Sequence, residues 1–232
     1  MKPITLGVLS LALAMALPAH ANLTVHPMRT SVEVKKGTNI RVYSQSTQPQ
    51  FVQASIRRID NAAQADENEV EVEPAEAAIA ITPGKFALAG GGNRLIRVIP
   101  LQPVSRETAY RVYFEGVPGP EHSPIETHGQ DAQANVGVSL VWGALVNVLP
   151  DDGTVDVRVD GNQLHNTGTL RLGITSVSDC QGDRCTSHDV SQSLYPGGAL
   201  ELPFVPAAGS TVQLRYRLTR DGYREHVQSF AL

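Results

Sequence analysis

The sequence predicts an all-β protein built of two β-sandwiches. Short runs of period-two alternation recur along the chain, and turn residues separate them at close intervals. No 3.6-residue apolar stripe of useful length appears beyond Leu17. The chain has 232 residues with 41% hydrophobic content, enough apolar material for packed cores, which excludes a disordered chain. At roughly 100–200 residues per domain, this length accommodates one large domain or two of ordinary size. Lys and Arg number 19 against 23 Asp and Glu, and a net charge of −4 offers no electrostatic footprint for nucleic acid.

Residues 1–21 read as a signal peptide. Lys2 supplies a basic start, residues 4–17 form an apolar run too short to span a bilayer comfortably, and Ala19-His20-Ala21 is a small-x-small cleavage site. Cleavage would leave a mature chain beginning at Asn22, exported and soluble, with no membrane insertion. The other reading is a buried helix or an uncleaved anchor. The two cysteines, Cys180 and Cys185, lie close together in a polar stretch, and in an oxidising compartment they read as a small disulfide loop. A zinc site would want four ligands, and only His188 lies nearby, so no metal is expected. Closing so short a loop adds roughly 2 kcal/mol on the chain-entropy estimate.

In the first part of the mature chain the strand-like runs are 38–44, 51–59, 69–73, 78–82, 94–99 and 110–115. Lys36-Gly37, Pro83-Gly84, Gly90-Gly91-Gly92-Asn93 and Leu101-Gln102-Pro103 separate them as turns, the glycine run reading as a hairpin turn. Residues 62–65 and 74–80 are Ala-rich, but Glu residues and Pro74 allow at most one helical turn. Residues 116–133 read as a long loop. Pro150-Asp151-Asp152-Gly153 marks a break, after which runs follow at 154–160, 169–177, 199–204, 211–218 and 226–230. Strands of this length and spacing indicate immunoglobulin-like sandwiches, one over 22–150 and one over 151–232.

Catalytic signatures are scarce, and no cofactor is expected. The Gly90–Gly92 run lacks a following Lys-Ser/Thr pair and helix, so it is no phosphate cradle. Ser139 lacks the context of a nucleophile elbow. His122 and His128 flank the long loop as solvated residues, and Glu67, Glu69, Glu71 and Glu73 alternate on one face as a solvated edge.

The informative segment is 134–150. Its even positions, from Val136, Val138 and Leu140 through Trp142 to Val148, are apolar. Its odd positions begin Asn135, Gly137 and Ser139 before turning apolar at Val141. The run is about three times the usual strand length. Either Val136, Val138 and Leu140 pack within their own sandwich, or the strand lies at an edge and offers them to another protein by strand addition.

In this order and spacing the segments Asn22–Pro27, Ile40–Ser44, Ile81–Gly84 with Arg94–Arg97, Glu107–Glu115, the 136–150 strand and the cysteine loop resemble a known family. It is that of the periplasmic chaperones of the chaperone–usher fimbrial pathway, in the alternate class serving class 5 fimbriae. The resemblance covers nearly the whole mature chain. It implies a boomerang of two sandwiches that completes a pilus subunit lacking its last strand and delivers it to an outer-membrane usher. The partners implied are the major pilin and the tip adhesin. Val136, Val138, Leu140 and Trp142 would be the donor residues, and four such side chains bury a gross ~6–12 kcal/mol. Association entropy consumes much of that, so a neighbouring pilin can displace the chaperone.

The resemblance also implies two basic residues that hold the subunit's C-terminal carboxylate. Arg29 matches the first, and a guanidinium can grip a carboxylate bidentately. The second has no match, because no Lys or Arg occurs between Asp131 and Pro150; either Trp142 or Asn147 substitutes, or the carboxylate site is organised differently. Of the family's interdomain ion pairs, Glu107 and Asp221 are recognisable. The basic residue expected before Pro150 is Leu149, and Arg97 or Arg106 is the replacement by elimination. An exported sandwich that binds a carbohydrate or a surface partner is the alternative function.

Overall fold

The computed structural model describes residues 22–119 and 140–231 of the chain. All elements among them are strands. The first ten are β1 (Leu23–His26), β2 (Arg29–Val32), β3 (Thr38–Ser44), β4 (Gln50–Asp60), β5 (Asn68–Glu71), β6 (Ile79–Thr82), β7 (Lys85–Leu88), β8 (Asn93–Pro100), β9 (Thr108–Val117) and β10 (Val141–Val148). They form a sheet in the order β1-β3-β8-β6, facing a second sheet ordered β2-β10-β9-β4-β5, with β7 also pairing β4. The core between them is aliphatic, with Val32, Ile40, Val42, Ile96, Val98, Val112, Phe114 and Val146 fully enclosed. Alternation explains this, because residues two apart share a face of the pleat.

Seven strands follow: β11 (Val157–Asp160), β12 (Gln163–Asn166), β13 (Leu172–Gln181), β14 (Arg184–Leu194), β15 (Ala199–Glu201), β16 (Thr211–Arg217) and β17 (Glu225–Ala231). They make the sheets β11-β12-β15 and β14-β13-β16-β17 around a second core of Leu164, Leu172, Ile174, Val177, Leu194, Val212 and Leu214. Cys180 and Cys185 face each other across the β13–β14 hairpin and form a disulfide, with S–S 2.07 Å.

Two expectations need correction. Gly90–Gly92 does not turn a hairpin, because β7 belongs to one sheet and β8 to the other. A Cβ at Gly90 would sit 2.2 Å from the Thr47 carbonyl oxygen, so glycine is required where this crossover presses on the neighbouring turn. The acidic run is not simply a solvated edge either. Glu69 is largely enclosed by Arg111 and Tyr113, whereas Glu71, paired with Arg57, and Glu73 stay open to solvent.

Candidate functional site

Strand β10 is paired along its whole length with β9, from Val141 opposite Glu115 to Val148 opposite Thr108. Its other side is covered only in part, since β2 runs parallel to it from Leu145 to Val148. Over Val141–Ala144 no strand among the described residues pairs with that edge, which is open. The Leu145 amide donates to the Met28 carbonyl on the β2 side. Backbone groups of residues two apart point the same way, so the N–H and C=O of Val141 and Gly143 face the open edge.

The side chains divide by parity. Ala144, Val146 and Val148 enter the first core, and Trp142 packs against it partly buried, its indole N–H without a hydrogen-bond partner among the described residues. Leu140 is 52% exposed and Val141 is 50% exposed, two adjacent apolar side chains left open at the start of this edge. Val136, Val138 and most of the long loop lie outside the described residues.

On the opposite face, three adjacent strands place Arg29, Leu145 and Arg111 in one row, because Leu145 is the partner of both arginines. Arg29 lies exposed at the start of β2 and has no ion pair among the described residues. Arg111 pairs with Glu69 and reaches Glu67 at 3.6 Å, while the Tyr113 hydroxyl donates to Glu69 at 2.6 Å. The stems of Arg111 and Tyr113 cross Gly143, where a Cβ would come within 3.0 Å of Arg111 Cδ. Leu145 packs with Ile59, Ala62, Ala109 and, from the second sandwich, Tyr195.

Residues 24–140, half of the chain, match the family described as "Pili and flagellar-assembly chaperone, PapD N-terminal domain". The chain belongs to this family of pilus-assembly chaperones. It is 31% identical over 195 residues to a CS1 fimbrial protein of Escherichia coli, covering 79% of this chain and 81% of that protein. The crystal structure of the class 5 fimbriae chaperone CfaA superposes with a TM-score of 0.74 at 20% identity, over 90% of this chain and 98% of that one. A structure described as a chaperone–tip adhesin complex of CFA/I fimbriae biogenesis gives 0.72 at 22% identity, with the same coverage of both chains. At such identities the structural likeness concerns the fold of two immunoglobulin-like domains.

Within this chaperone the two sandwiches meet at Glu107, which is 3% exposed and has no ion-pair partner among the described residues. Its Oε1 accepts from Asn147 Nδ2 and from Thr219 Oγ1, each at 2.9 Å, and its Oε2 accepts from the Arg171 amide at 2.9 Å. Asn147 is completely buried, and its Oδ1 accepts from the Tyr195 hydroxyl at 3.0 Å. Asn147 therefore serves the hinge, and its amide is fully occupied there rather than open to a carboxylate. The Tyr195 hydroxyl is pushed up to about 12 by burial, so it remains a donor.

The other ionic assignments shift as well. Arg97 lies exposed on β8 in the outer sheet and makes no ion pair among the described residues, because its side of that strand faces away from the core. Asp221 lies 2.9 Å from His226 Nε2 instead of at the hinge, and its neighbour Thr219 takes the contact with Glu107. Arg106 is exposed and makes no ion pair among the described residues either. Arg220, which sequence reasoning missed, donates to the carbonyls of Pro150, Asp151 and Gly153 and so clamps the connection. Leu149 is buried.

Burial raises the Glu107 carboxyl above the ordinary carboxylate range, while the donors around it and the charge of Arg171 hold it back. A raised native value means that the folded chain binds this proton more tightly than the unfolded chain. The associated stability is present below the unfolded value and is lost as pH rises through the native one. Wild-type protein should thus gain stability on acidification across that window relative to Glu107→Gln. Melting temperatures of both, measured from pH 7 downward, check the difference.

Proposed function

We propose that this chaperone is exported to the periplasm by residues 1–21 and there holds pilus subunits by lending them its β10 strand. The open edge at Val141–Ala144, continuous with exposed Leu140, carries this reading. A pilin lacking its last strand would pair with the Val141 and Gly143 backbone and receive Val136, Val138, Leu140 and Trp142 in its groove. Backbone bonds supply affinity in such additions, and alternate side chains supply specificity. The first sandwich, within 22–150, is then the donor, and the second, within 151–232, closes the cleft. The proteins held are the major pilin and the tip adhesin, passed on to an outer-membrane usher. Co-expression with a small fimbrial pilin truncated by its terminal strand should yield a stoichiometric complex; recovery of the chaperone alone under conditions that preserve the pilin would count against the reading.

For the pilin's C-terminal carboxylate we assign Arg29 as the first anchor; Arg111, in the same row, adds a second guanidinium by exchanging its long contact with Glu67 for the pilin carboxylate while keeping Glu69. Sequence inspection of β10 could not find Arg111, because it stands on β9 and reaches across Gly143. Charge-assisted bonds of this kind contribute ~1.5–3 kcal/mol, so Arg29→Ala should weaken pilin capture about 10- to 100-fold. The free protein should melt as wild type does, and a pilin ending in a carboxamide should show the same loss. Equal affinity for carboxylate and carboxamide would remove the anchor.

A further inference from the structure

The two sandwiches touch at a second point that the hinge does not require. The turn of residues 61–67, between β4 and β5, reaches the second sandwich at residues 195–199. Gln64 Oε1 accepts from the Ala199 amide at 3.2 Å, and Ala62 packs beside Tyr195. A Cβ at Gly198 would sit 2.9 Å from Gln64 Nε2 and 3.1 Å from the Tyr195 carbonyl oxygen, so a larger residue there would push the Gln64 side chain out of its place. An open groove of about 890 Å³ runs from Glu107 at the hinge to this contact, with Asp60, Gln64 and Arg106 on one side and Pro196 and Gly197 on the other.

The turn is strained and heavily tied. Asn61 and Ala63 have φ of 53° and 62°, and for alanine the left-handed region is strained. Asn61 Nδ2 donates to Asp66 at 2.8 Å, and the Ala63 amide donates to Glu67 Oε2 at 2.7 Å. Glu67 in turn faces Arg111 at 3.6 Å. One end of the turn therefore grips the second sandwich while the other bears on the row beside the open strand.

We propose that this turn is a second interdomain clasp and that Gln64 is a positioning residue that fixes the angle of the cleft for pilin capture. A single hinge leaves a rotation free, whereas two contacts flanking a groove remove it. Holding one cleft geometry cuts the ordering that a bound pilin must impose. The inference rests on the pilin-holding reading above for its consequence, but not for the clasp itself.

Spin labels at exposed Asn39 and Ser191 report the separation of the two sandwiches in the free protein. Gln64→Lys sets a donor against the Ala199 amide, and Gly198→Ala wedges the contact from the other side. Each should at least double the width of the label-distance distribution. Each should also release a bound pilin about 5- to 10-fold faster, as most affinity effects appear in dissociation. Gln64→Glu keeps the acceptor and should restore both values. Unchanged widths in Gln64→Lys and Gly198→Ala would overturn the clasp, and broadened widths with wild-type release would overturn the positioning role. Failure of wild-type protein to hold any pilin would instead strike the functional reading, and the label widths would still decide the clasp.

Discussion

Leu140→Asp should abolish pilin retention and leave the free chaperone folded. Leu140 is half exposed at the entrance to β10, so an acid there stays hydrated in the free protein, and surface changes of this kind cost within about 0.5 kcal/mol. In a complex the same carboxylate would be forced unpaired into an apolar groove at a cost of several kcal/mol. At about 1.4 kcal/mol per decade, affinity should fall at least about 100-fold. Pull-down and melting temperature, measured on the same preparation, separate the outcomes. A variant that unfolds would make Leu140 ordinary core, and one that stays folded and holds pilins would show that Leu140 is not a donor.

Glu107→Ala should produce the largest loss of stability of any single change at the hinge. It strips the acceptor from the Asn147 amide, the Thr219 hydroxyl and the Arg171 amide at once, all three buried with it. Unsatisfied buried donors cost about 1–3 kcal/mol each, and relaxation makes a total of roughly 3–5 kcal/mol reasonable. For a chain of this size each kcal/mol moves Tm by about 2–4 °C, so a drop of roughly 6–20 °C is expected by calorimetry. Asn147→Leu fills the space without polar demand on its own part but leaves Tyr195 and Glu107 short of partners, and should fall between wild type and Glu107→Ala. A Tm within a degree of wild type for Glu107→Ala would mean that the domains are not joined through this carboxylate.

Much of the fold was legible because alternation in β3, β4, β8, β9 and β16 matches the faces that are buried. β1, β2, β7, β12 and β14 escaped detection. Arg29–Val32 and Gln163–Asn166 are short and polar, and Arg184–Leu194 is an edge strand whose Ser and Thr residues show no apolar period. The donor strand stood out for the opposite reason, an apolar run longer than one sandwich can bury. The hinge was half legible. Glu107 was found through its motif, but the family resemblance implied an ion pair and so a cation, whereas the structure satisfies the carboxylate with neutral donors from Asn147, Thr219 and a backbone amide. No residue-type rule identifies a backbone donor, and Arg111 and Gln64 were hidden because their importance comes from register between distant strands.

The central claim is that the open backbone edge of β10 pairs with a pilin strand, and amide hydrogen exchange at Val141 and Gly143 tests it most directly. Their N–H groups face the uncovered side, whereas those of Trp142 and Ala144 face β9. In the free chaperone Val141 and Gly143 should exchange quickly and Trp142 and Ala144 slowly. Binding a strand-deficient pilin should slow Val141 and Gly143 selectively, by about 100-fold or more, as expected for amides moved into a stable ladder. Exchange at those two amides that is unchanged in a confirmed complex would contradict strand donation by β10.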